Sequence, residues 1–304
     1  MNDDQFDLDE TTLSVDLSNA TQAVKESRFQ DAFNLLKVLL KENPDHIDIL
    51  YLSAVSTRFL KKFDDSRNHI EHLLFNAPDM GRAYQELGHL NRDIGNEEKS
   101  ITHYRQACEL NPALPASWNA LHKYFEKINN KPAADHALEQ IKKLQTLPGQ
   151  LLFIEQILNE GRLGLAETKC RAFLKENPTH NYAMSLLAEI ANRFGYFDDA
   201  EFLLQKAVEF KPKDGDLRLK YASMLRKKQK FAQTTEQVDI LCNQFPDNLN
   251  YRAQKASDVM QGGDHAKAIT MFDDILKMNP YNFSTLTSKG HAQKTLGVTD
   301  EAIK

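Results

Sequence analysis

Seven prolines set the frame of this chain. Pro44, Pro78 and Pro112 lie 34 residues apart, and Pro178, Pro212, Pro246 and Pro280 repeat the same step. The interval from Pro112 to Pro178 is 66, two steps less two residues. Most of these prolines sit in one phrase: Glu42-Asn43-Pro44-Asp45, Asn111-Pro112, Glu176-Asn177-Pro178-Thr179 and Asn279-Pro280. A fixed period of this size predicts a stack of supersecondary units, because one such unit cannot bury its apolar face alone.

With each proline taken as position 32, the units start at 13, 47, 81, 115, 147, 181, 215, 249 and 283. Position 8 is small in most of them: Ala20, Ala54, Gly88, Ala188, Ala222, Ala256 and Gly290. Position 20 is Ala32, Ala134, Ala166, Ala200, Ala268 and Ala302. Position 27 is apolar, as in Leu39, Leu73, Ala107, Phe173, Ala207, Leu241 and Ile275. Position 24 carries larger plugs, among them Leu36, Ile70, Tyr104, Leu204 and Phe272. Position 15 is Gly95, Gly161, Gly195, Gly263 and Gly297. A glycine there can adopt the left-handed conformation that ends a helix and opens a tight turn. The proline stops the second helix. Each unit therefore reads as helix A, tight turn, helix B, proline turn.

This is the tetratricopeptide repeat pattern, and the resemblance covers residues 13–304. It implies an all-α fold, a right-handed solenoid whose A helices line a concave groove. The fourth unit (115–146) is two residues short and lacks its closing proline; Leu147-Pro148-Gly149 follows it. The expected organisation is an acidic, disordered tail at 1–12, a first block at 13–146 and a second at 147–304. The ninth unit stops just inside its helix B with no polar cap, so a piece of a longer protein is expected.

Composition removes several classes. The formal charge is −5, but six acids and no base fall within residues 1–24, leaving 37 acids against 38 bases in the rest. A neutral body argues against a nucleic-acid binder, which needs a strongly basic face. No run approaches the ~20 apolar residues of a membrane span; Leu151-Leu152-Phe153-Ile154 meets Glu155 at once. The start MNDDQFDLDE has acids where a secretory signal needs bases. Cys108, Cys170 and Cys242 are scattered and odd in number. That suits a reducing cytoplasm, where the protein is expected.

No phosphate-cradling loop, nucleophile elbow or HExxH helix occurs, so no catalytic residue, cofactor or metal site is expected within 1–304. His69 and His72 could share a metal but lack a third ligand. Asp214-Gly215-Asp216 resembles a calcium loop only superficially. Cys108 and Cys242 read as buried structural thiols and Trp118 as a buried anchor.

The resemblance implies that positions 2, 5, 9, 12 and 13 of helix A face the groove. Their basic residues include Arg58, Arg82, His89, Arg92, Lys123, Lys127, Arg193, Arg226, Lys227, His291 and Lys294. The acids there are fewer: Asp48, Asp93, Glu126, Glu155, Glu189 and Asp216. One reading is a mildly basic groove for a protein partner or an acidic extended peptide. The other is that positions 12 and 13 end helix A, where cations complement the helix dipole without any partner. The carboxylate clamp of chaperone-binding repeats and the asparagine ladder of glycosyltransferase repeats are both missing.

Longer phrases resemble the N-terminal repeat region of bacterial sulfotransferases. They include Gly290-His291-Ala292-Gln293-Lys294-Thr295-Leu296-Gly297, Phe245-Pro246-Asp247-Asn248-Leu249-Asn250-Tyr251-Arg252 and Gly195-Tyr196-Phe197-Asp198-Asp199-Ala200-Glu201. The resemblance implies a substrate-docking module, with a PAPS-dependent catalytic domain beyond residue 304. The alternative is a stand-alone scaffold without chemistry.

Overall fold

The computed structural model describes residues 3–297, with side chains from residue 13 onward. Among the described residues there are seventeen helices and no strand. They fall into two compact units, Met1–Arg162 and Leu163–Lys304.

In the first unit the A helices are α1 (Asp3–Lys25), α3 (Ile47–Phe59), α5 (Gly81–Ile94), α7 (Pro115–Lys127) and α9 (Gly149–Asn159). The B helices are α2 (Phe29–Glu42), α4 (Phe63–Asn76), α6 (Glu97–Leu110) and α8 (Lys131–Gln145). The second unit contains α10 (Leu163–Glu176), α11 (Asn181–Phe194), α12 (Phe197–Phe210), α13 (Gly215–Lys227), α14 (Phe231–Gln244), α15 (Leu249–Gln261), α16 (His265–Met278) and α17 (Phe283–Thr295). Helix α1 is helical back to Asp3, through the segment expected to be a disordered tail; the side chains of residues 1–12 lie outside the described ones. Helix B of the ninth repeat also falls outside them.

The turns explain the period. Position 15 has positive φ in all nine repeats, whether or not it is glycine. Gly95, Gly161, Gly195, Gly263 and Gly297 range from 74° to 97°, and Ser27, Lys61, Asn129 and Gln229 lie at 55° to 59°. Each left-handed residue except Gly297, whose successor lies outside the described residues, is followed by an amide that donates back to the last turn of helix A. Examples are Lys62 to the Thr57 carbonyl (2.8 Å), Asn96 to Asn91 (2.8 Å) and Tyr196 to Ala191 (2.8 Å). This six-to-one bond is the Schellman closure of a helix. At the other end, helix B stops at position 30 in every described repeat but the fourth, and position 31 leaves the helix: φ is −131° at Asn43, −143° at Asn111 and −139° at Asn279. The following proline crowds the residue before it out of helical space.

Small residues at positions 8 and 20 let helices A and B of one repeat touch. A Cβ on Gly88 would lie 2.6 Å from the Tyr104 ring. Where position 20 is serine, its hydroxyl donates to the position-8 carbonyl: Ser66 to Ala54 at 2.9 Å and Ser100 to Gly88 at 2.8 Å. The cores form between pairs, as where Leu50, Ala54, Ile70, Leu73, Met80, Ala83, Leu87 and Leu90 cluster beneath repeats 2 and 3. Trp118 departs from expectation. It is only partly buried beside Tyr104, Leu121 and Phe125, and its indole N–H donates to the Pro112 carbonyl at 2.8 Å.

Helix α9 breaks the nearest-neighbour rule of a repeat array. The Arg82 guanidinium grips Glu160, just behind α9, with two bonds of 2.7 Å. Arg162 grips Asp48 with two of 2.6 Å. The Asn111 amide donates to the Gln156 carbonyl (3.0 Å), and the Gln156 amide donates to Ala113 (2.8 Å). Helix α9 and the turn after it are thus fastened to repeats 2 and 3. For this reason the first unit extends to Arg162, past the break expected after residue 146.

Candidate peptide-binding groove

The basic residues selected from the sequence divide into two groups once their partners are seen. Arg58 is 6% exposed and donates to Glu86 at 2.5 Å and to Asp93 at 2.7 Å. Burial pushes the Glu86 carboxyl above its usual range, against the pull of Arg58. Arg82 is committed to Glu160, whose side chain is 2% exposed, and lies over the Tyr51 ring at 4.9 Å. In the second unit Arg226 holds the buried Asp258 through bonds of 2.5 and 3.0 Å. These three arginines are corrected from ligand-facing groups to internal ties: each neutralises a buried carboxylate that would otherwise be costly to desolvate.

The other group is accessible. His89, Arg92, Lys123 and Lys127 converge on one cavity of about 580 Å³ formed by α5, α6 and α7. Tyr104, Ser100, Ile101, Asn119 and Tyr124 complete its wall, with Glu97 at the rim. Lys127 is paired to both oxygens of Glu97 at 2.7 Å on the exposed rim, a contact of small energy. Arg92 bonds Asp93 through Nε and Nη2 at 3.1 and 2.9 Å and remains half exposed. Lys123 is accessible and makes no ion pair among the described residues. His89 sits deeper, 2.6 Å from the Tyr104 hydroxyl, and burial together with Arg58 and Arg92 lowers its pKa to about 4. It is therefore a neutral hydrogen-bonding wall at physiological pH, not a cation.

A second cavity of about 540 Å³ adjoins the first, sharing His89 and Arg92. It adds Phe59, Phe63, Asp93 and Lys61, the last of which sits in the tight turn after α3. Position 15 lies outside the helical face that the pattern assigned to the groove, which is why Lys61 went unread. Its signal was a charged side chain where five repeats carry glycine.

The second unit has a smaller concavity of about 320 Å³ between α11 and α13. There Lys227 donates to Asn192 at 2.7 Å and lies over the Phe197 ring at 4.3 Å. Arg193 is paired with Glu189 at 2.9 Å. His291 and Lys294 are exposed on α17, and no described cavity gathers them.

Of the remaining candidates, burial raises the Cys108 thiol to about 12 and Cys170 to about 11, while Cys242 is half-buried. His72 meets Asp45 at 2.7 Å, and Asp214 caps α13 by accepting from the Leu217 amide at 3.1 Å. Among the described residues no group of three or more His, Cys, Asp or Glu is placed to hold a metal ion. No described helix is long and apolar enough to cross a membrane.

Residues 81–114, the third repeat and the centre of this groove, match the tetratricopeptide repeat family model. Each of the two units is an array of tetratricopeptide-like helix pairs. The DnaJ homolog subfamily C member 7 homolog of Dictyostelium discoideum is 22% identical over 212 residues, 67% of this chain. The chain spans 35% of that protein's length. Among solved structures, MamA is similar at a TM-score of 0.44 and 17% identity, over 49% of this chain and 88% of its own. The Cut9–Hcn1 hetero-tetramer of APC/C is similar at 0.41 and 14% identity, over 91% of this chain and 55% of that one. Stacked helical repeats of this kind present extended concave binding surfaces.

Proposed function

We propose that this protein is an interaction scaffold that holds an extended, acidic stretch of a partner protein against α5 and α7. The observation that carries this reading is the shared cavity of repeats 3 and 4. There Arg92 and Lys123 are accessible beside Tyr104 and Tyr124, with Asn119 and His89 as hydrogen-bonding groups. Cations on a partly apolar wall favour carboxylates joined by apolar side chains, and extended peptides are a common guest of such grooves. The helix-dipole reading accounts for Arg92 near the end of α5, but not for Lys123, which is a full turn short of the end of α7.

The test is binding of a fluorescein-labelled acidic peptide, read by anisotropy. The Arg92→Glu, Lys123→Glu double variant should weaken binding by at least about tenfold and flatten its salt dependence. Unchanged affinity would overturn the proposal.

The phrases that resemble bacterial repeat-containing sulfotransferases motivate a narrower reading, in which the groove docks the acceptor protein of a sulfuryl transfer. Intact mass of the protein from its source cell, followed by assay of sulfate transfer from PAPS, tests it. A native mass equal to that of the 304 residues alone, with no transfer, would leave the scaffold.

A further inference from the structure

Lys61, Arg92 and Lys123 are separated by 31 residues and then 31 again. They stand at positions 15, 12 and 9 of successive repeats. In a 34-residue array, that places each cation three residues further back in its repeat than the last. Arg92 and Lys123, both on A helices, therefore share a face, and Lys61, in the left-handed turn just past α3, lines the cavity that also contains Arg92. The three cations therefore mark a diagonal across the A helices of repeats 2, 3 and 4. The two adjoining cavities follow this diagonal: one contains Lys61 and Arg92, the other Arg92 and Lys123, and Arg92 belongs to both.

The step along the diagonal can be sized. Neighbouring helices pack about 8–10 Å apart, and three residues of helix rise about 4.5 Å. The diagonal step is therefore about 10 Å. An extended peptide in the polyproline II conformation advances about 3.1 Å per residue with three residues per turn, so about three residues span one step and every third side chain returns to the same face. The internal acids of this region are already engaged: Glu86 holds Arg58, Asp93 bridges Arg58 and Arg92, and Glu97 holds Lys127. Among the described residues Lys61 and Lys123 make no ion pair, and Arg92 binds Asp93 through Nε and Nη2, not Nη1.

We infer that this groove reads spacing as well as charge, taking an extended segment whose acidic residues recur at every third position. The inference rests on the groove reading above and specifies its ligand. Phe59, Phe63 and Tyr124 line the same cavities as the cations. The residues between the acids are therefore best apolar or aromatic, and a run of consecutive acids fits poorly.

The experiment compares two labelled peptides of identical composition on the whole 304-residue chain. One carries aspartates at every third position, and the other carries the same aspartates side by side. The spaced peptide should bind at least about tenfold more tightly, a difference of about 1.4 kcal/mol. Lys61→Glu should weaken the spaced peptide more than the clustered one and so reduce that preference. A spaced peptide with lysine in place of its terminal aspartate, the one that meets the altered side chain, should recover binding to the Lys61→Glu variant. Equal affinity for both peptides, still lost in the Arg92→Glu, Lys123→Glu variant, would overturn the spacing rule and keep the groove. No binding of either peptide would overturn both. Circular dichroism of each variant separates loss of binding from loss of fold.

Discussion

His89 couples the groove to acidity. Its neutral form is favoured in the fold, with a folded pKa of about 4 against 6.5 for the free side chain. Its contribution is fully present above pH 6.5 and is lost as the pH falls towards 4, because the unfolded chain takes up the proton first. The loss is on the order of 3 kcal/mol, and a His89→Gln variant should show a smaller loss of stability over that interval in urea titrations. Gly88, its neighbour, has no room for a side chain: Gly88→Ala presses on Tyr104 and should cost about 1–3 kcal/mol. Trp118→Ala should cost about 1–2 kcal/mol, below the ~3–5 of a fully buried aromatic, since the ring is partly exposed. Gln229 is the opposite case. It is held at φ 59°, a conformation that costs non-glycine residues about 1–2 kcal/mol. Gln229→Gly should therefore raise the thermal midpoint or leave it unchanged, whereas Gly95→Ala, at φ 89°, should lower it.

At the scale of helices, most of the architecture was legible because it is written by local rules. The prolines at position 32, the small residues at position 8 and the glycines at position 15 are each a steric statement about one turn or one crossing. Seven A helices begin at the residue the period assigns: 47, 81, 115, 181, 215, 249 and 283. What the period could not convey was pairing across distance. Arg58, Arg82 and Arg226 look like groove cations in a one-dimensional reading, since nothing near them in sequence announces Glu86, Glu160 or Asp258. The Arg82–Glu160 pair gives a sharp test. Arg82→Ala leaves a buried carboxylate without its counter-charge and should cost about 3–5 kcal/mol in chemical denaturation. Arg82→Met together with Glu160→Met removes both charges and should fall within about 1 kcal/mol of the parent protein. A double variant as damaged as the single one would show that the pair supplies more than charge balance.

A repeat array is held together mainly by contacts between neighbours, so such chains assemble by short steps. The first unit contains a departure from that economy. The Arg82–Glu160 contact spans 78 residues of chain and Arg162–Asp48 spans 114. Ends that far apart must find each other at an entropic cost that local helix pairs do not meet. The repeats should therefore zip up rapidly, with docking of α9 as the late event. Stopped-flow refolding should show this as a separate slow phase whose amplitude falls when Arg162 is replaced by alanine, while the fast phase keeps its rate. A newly made chain would thus have a working set of neighbouring repeats before its long-distance fastening closes. During that interval Arg82 is a naked cation and Asp48 a naked acid, open to whatever reaches them first.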